Sequence, residues 1–166
     1  MKTKLFTFSF FAAIIFVLTA CPYQSKVPID QPNKKVDKNV LGKWVKNSDL
    51  EKDKPEYFEI SALDKLKYNI VKYEYQSNDS TYKDTKYVTH FTYIDDYVFM
   101  NMQKDGEGEF YMHRLDMNGD EFMLYELTDN IDEKFTTPEE FKAFVKKYMK
   151  LSFFYNKDEV KYVRSK

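Results

Sequence analysis

Cys21 is the only cysteine among 166 residues, so it has no partner for an internal disulfide. A lone thiol is left with two uses: a buried structural group or, as the thiolate, a nucleophile. The other residues that could do chemistry are sparse. His90 and His113 fall on separate predicted strands, without acidic or thiol neighbours at metal-ligand spacing, so structural or surface roles are expected. The stretch Asp116 to Glu121 looks like the start of a calcium loop. Its glycine stands fourth instead of sixth, however, and the twelfth position is Leu127, which offers no oxygen ligand. Glu139 and Glu140 belong to a helix start. No nucleophile elbow, phosphate-binding glycine loop or zinc-protease helix is present. The chain therefore reads as a non-enzyme with no cofactor and no metal. What remains is soft and apolar: Met100, Met102, Met112 and Met123, on neighbouring predicted strands with Phe99, Phe110, Phe122 and Tyr125. These residues either line a cavity for a small apolar ligand or fill a core.

The elements that would position these residues are mainly β. Fifteen Phe and fourteen Tyr with four Gly favour half-buried pleated surfaces. Short runs with partial alternation cover Val40–Lys46, Glu56–Ser61, Leu66–Gln76, Thr85–Ile94, Tyr97–Gln103, Glu109–Leu115, Glu121–Thr128 and Glu159–Arg164. Asp105-Gly106 and Asn118-Gly119 supply positive φ at little cost, as tight hairpin turns require. Consecutive hairpins give an eight-stranded antiparallel meander. One helix interrupts it before the last strand. Thr137 as N-cap, Pro138 at the first helical position and Glu140 three residues after the cap form a capping box. Phe141, Phe144, Val145, Tyr148 and Met149 then make one apolar face. Such a helix packs on the sheet or lies on a membrane. The strands from Tyr97 to Leu127 are apolar on both faces, so a second cover is needed, from this helix or from a dimer partner.

Upstream, Lys2 and Lys4 precede an uncharged apolar run from Leu5 to Ala20. At 1.5 Å rise this run makes roughly 24 Å of helix, short of the ~30 Å hydrocarbon core, so a secretory signal peptide is favoured over a membrane span. The run ends in Leu18-Thr19-Ala20-Cys21, which resembles the lipobox of bacterial lipoproteins. The resemblance implies that Cys21 receives a diacylglycerol on sulfur and that residues 1–20 are removed. It also implies a cell-envelope location, anchored to the membrane by lipid rather than by a span. In Gram-negative members of that family an Asp after the cysteine is associated with inner-membrane retention, so Pro22 implies the outer membrane if the cell is Gram-negative. More than one acyl chain gives stable attachment. Residues 1–20 carry two of the 26 basic residues and none of the 27 acids, so their removal leaves a formal −3. With no basic stripe, nucleic acid is not an expected partner. Residues 22–39 hold Pro22, Pro28 and Pro32 without apolar periodicity, and read as an extended, solvated tether after the lipidated Cys21. The barrel domain is then expected over residues 40–166.

Gly42-x-Trp44 on the first strand, with Arg164 on the last, resembles the barrel-closing motif of lipocalins. That resemblance implies a closed eight-stranded barrel with Trp44 plugging one end and Arg164 lying across it. Here the helix precedes the last strand, whereas in that family the main helix follows it. The expected function is a membrane-anchored lipoprotein whose lipocalin-like domain holds a small apolar ligand. The alternative is a structural or interaction lipoprotein that binds an envelope protein.

Overall fold

A computed structural model describes residues 23–156 and 159–165. Cys21 and the signal-like segment lie outside the described residues. The strands are β1 (Gln24–Ser25), β2 (Gly42–Lys46), β3 (Tyr57–Ala62), β4 (Tyr68–Gln76), β5 (Thr81–Ile94), β6 (Tyr97–Lys104), β7 (Phe110–Asn118), β8 (Glu121–Glu126) and β9 (Val160–Arg164). The single α-helix, α1 (Pro138–Tyr148), precedes β9.

Strands β2 to β8 pair each with the next, all antiparallel, and β9 pairs with both β8 and β2. The eight-stranded meander is therefore a closed barrel, in which none of its strands keeps a free edge. The turns explain the register. Glu121 faces Asn118, so the β7–β8 turn is centred on Gly119-Asp120, with Gly119 at φ +62°. The first central position of such a turn favours glycine. The β6–β7 connection is wider, because Gln103 is paired with Phe110.

Alternation along each strand divides the apolar residues between two cores. The inner core fills the barrel with Trp44, Phe58, Ile60, Tyr68, Ile70, Phe91, Met100, Met102, Leu115, Phe122, Leu124 and Tyr162. The outer core lies against Phe99 of β6 and Met112 of β7, and α1 contributes Phe141, Val145 and Met149 to it. The helix thus covers the outer face of the doubly apolar strands. The Thr137 capping box forms, with the Thr137 side chain on the Glu140 N–H and the Glu140 side chain on the Thr137 N–H.

The expected solvated tether is corrected over its described part. Ile29 is fully buried, and Tyr23 packs in the same outer core. Strand β1 pairs with the start of β7. The Ile29 N–H donates to Asn101 Oδ1 at 2.7 Å, His90 Nε2 lies 2.7 Å from the Asp30 carbonyl, and the Asp37 N–H donates to the Tyr68 hydroxyl at 2.7 Å. Lys142 of α1 makes an ion pair with Asp30. Prolines and missing periodicity are properties of a loop, but an irregular strap can still dock. Side chains of β4, β5 and β6 satisfy its backbone here in place of a regular ladder. Among the described residues, no helix is long and apolar enough to cross a membrane.

Candidate ligand site at the open end of the barrel

The two ends of the barrel differ. At one end Trp44 is fully buried and donates from Nε1 to the Val40 carbonyl at 2.8 Å. Phe122 packs on it at 4.7 Å between ring centroids and on Tyr162 at 5.0 Å. The Arg164 guanidinium lies over the Trp44 ring at 4.2 Å from the centroid, on the residue paired with Trp44 in the β2–β9 ladder. Its Nη1 donates to the Leu41 carbonyl at 2.8 Å, its Nη2 to the Asn39 carbonyl, and its Nε to Asp120 at 2.8 Å. Gly42 makes room for this: at φ +125°, a Cβ there would stand 3.1 Å from Arg164 Nη1. A side chain would both strain the backbone and press on the guanidinium. Gly42, Trp44 and Arg164 therefore act as one closure.

At the other end is an open cavity of about 330 Å³. Its apolar wall is Phe58, Met102, Leu124 and Val160, and the half-buried Tyr87 and Tyr111 and the buried Tyr162 also line it. Five ionisable side chains also line it: Lys46, Glu56, Lys72, His113 and Glu126. Alternation places them there. Glu56 lies two residues before Phe58, Lys72 two after Ile70, Lys46 two after Trp44, and Glu126 two after Leu124, each on an inward-facing position.

These charges are not equally satisfied. Glu56 bridges Lys46 at 3.1 Å and Lys72 at 3.2 Å, and accepts from the Tyr162 hydroxyl at 3.2 Å. Burial raises the Glu56 pKa, but Lys72 and Lys46 outweigh it and hold the carboxyl below its ordinary range. Burial likewise works against charge on Lys72, yet Glu74, at 2.9 Å, and Glu56 leave its pKa raised. Burial, with Glu56 adding to it, pushes the Tyr162 hydroxyl far up. Glu126 differs. Its Oε2 accepts from the Asn156 side-chain amide at 2.9 Å, but among the described residues its closest basic group is His113, 3.7 Å away. Burial, with the Lys72 charge adding to it, drives the His113 pKa down to about 4, so the ring is neutral near pH 7. His113 Nδ1 is buried and has no hydrogen-bond partner among the described residues.

The four methionines read as ligand candidates do not converge. Met100 and Met102 point into the barrel, Met102 lining the cavity and Met100 lying in the inner core. Met112 is buried in the outer core under α1. Met123 is half-buried, with the Tyr125 hydroxyl 3.6 Å from its sulfur. The register accounts for the split: Met100 is paired with His113, so His113 faces inward and Met112, one residue earlier, faces outward. Phe99 is outward for the same reason. The polar members of the cavity were missed because each looks like an ordinary surface charge in sequence. Extending the inward alternation one step beyond the last apolar residue of each strand would have found them. No cluster of three or more potential metal ligands occurs among the described residues.

No family model, curated protein or solved structure matches this chain.

Proposed function

We propose that this chain is a lipid-anchored envelope protein, attached through Cys21, whose lipocalin-like barrel holds a small apolar ligand in its open end. The cavity carries this reading: one end of the barrel is sealed by Trp44 and Arg164, while the other keeps about 330 Å³ unfilled beside Met102, Leu124 and Phe58. At ~30 Å³ per small non-hydrogen group, that space suits a molecule of roughly ten such atoms. The anchor rests on the Leu18-Thr19-Ala20-Cys21 motif and the apolar run before it.

The test is native mass spectrometry of the full-length protein from a bacterial host, with organic extraction of the released ligand. A bound species of discrete small mass is expected. An unliganded protein that also fails to take up an apolar fluorophore refutes the ligand reading. Anchoring is tested separately: Cys21→Ser is expected to abolish palmitate labelling, and labelling that persists in the variant refutes attachment at Cys21.

A further inference from the structure

We infer that the open end of the barrel selects an apolar amine, bound as its ammonium ion on Glu126, over the matching carboxylate. This rests on the ligand-holding reading and adds the chemistry of the polar head. An apolar wall alone does not distinguish an acid from an alcohol or an amine, so the distinction falls to the charges around it. The lysines that line the cavity are both engaged, Lys46 on Glu56 and Lys72 on Glu56 and Glu74. An incoming carboxylate must therefore displace Glu56 from one of them, leaving that partly buried acid short of a cation. Glu126 is the carboxylate of this set without a lysine or arginine within salt-bridge distance among the described residues.

The count confirms the sign. Among the described residues, Lys46 and Lys72 stand against Glu56, Glu74 and Glu126, so this group carries one negative charge in excess, at Glu126. His113 does not cancel it, since the ring is neutral near pH 7. The 3.7 Å approach of Nε2 to Glu126 favours the tautomer with its proton on Nε2, directed at the carboxylate. Nδ1 is buried and without a partner among the described residues, so the ring offers the cavity no compensating positive charge. The lining also includes the half-buried rings of Tyr87 and Tyr111, and an aromatic face favours a cation. An alkylammonium thus places its head between Glu126 and the tyrosines and its chain along Val160, Leu124, Met102 and Phe58.

The test uses octylamine, 1-octanol and octanoate, matched in length and suited to the cavity volume. The lipid-anchored protein is reconstituted in phosphatidylcholine vesicles and titrated by calorimetry at pH 7, with protein-free vesicles subtracted. Octylamine is expected to bind at least tenfold more tightly than octanoate, with octanol between. Glu126→Gln keeps an acceptor for Asn156 and is expected to weaken octylamine at least fivefold while leaving octanol unchanged. Octanoate binding as tightly as octylamine overturns the inference but leaves the ligand-holding barrel standing, because the cavity is then occupied without the selectivity. An amine preference that survives Glu126→Gln overturns the assignment to Glu126. Failure of all three probes overturns both the selectivity and the ligand-holding reading.

Discussion

His113→Leu tests the electrostatics of the cavity directly. The ring faces Lys72 of β4 and Glu126 of β8, and its side chain is 19% exposed. Its folded pKa of about 4 lies below the ordinary histidine value of 6.5 that holds in the unfolded chain. The unfolded chain therefore binds a proton first as pH falls, and stability drops on the acid side. For a single group with these values, the loss between pH 7.5 and pH 5 is about 2 kcal/mol, rising to about 3 kcal/mol below pH 4. Leucine has similar volume, carries no proton and removes an unpartnered nitrogen. The variant is expected to match the wild type near pH 7.5 and to lose about 2 kcal/mol less on acidification to pH 5. Urea unfolding at several pH values measures this, with equal slopes in both proteins as the control. His90, whose pKa is also held down by burial, contributes equally to both proteins and cancels. Asp49, whose pKa the Lys52 hydrogen bond helps lower to about 2, and Glu56 lose their contributions only at lower pH. Parallel pH curves for the two proteins would refute the reasoning.

Two further substitutions probe the closure and the strap. Arg164→Ala removes the contact on Trp44 and strands the Leu41 and Asn39 carbonyls, and is expected to cost about 2–3 kcal/mol in denaturant unfolding. An unchanged midpoint refutes the closure role. Asn101→Ala leaves the buried Ile29 N–H without its acceptor, a loss of about 1–3 kcal/mol. Hydrogen exchange is expected to quicken across residues 23–37 and to stay slow in β2 to β9. Unchanged exchange in that segment refutes the pinning role of Asn101.

Element type was legible because the periods are local. All eight barrel strands were visible as short runs, and the helix announced itself through Thr137, Pro138 and Glu140. Which side of the barrel wall each methionine occupies was less legible. That choice is set by register across β6, β7 and β8, and a shift of one residue exchanges the faces. The docked strap was hidden for another reason. Tyr23 and Ile29 are single apolar residues in a polar setting, and their partners are far away in sequence: Glu133 and Phe141 for Tyr23, Asn101 for Ile29, with His90 on the adjoining Asp30. The cavity-lining charges were hidden because each looks like a surface charge unless the inward alternation is carried one step past the last apolar residue of its strand.

The docked strap also changes the mechanics of attachment. Eighteen free residues from Pro22 to Asn39 in an extended form would let the barrel roam roughly 55 Å from its anchor. With the chain held from Tyr23 onward, only Pro22 separates that point from Cys21, a covalent reach of about 7 Å. If Cys21 bears the lipid, as proposed, the barrel is then less like a tethered float than a fitting bolted to the bilayer. It keeps an almost constant height and diffuses laterally with its anchor, and a partner must reach it close to the headgroups.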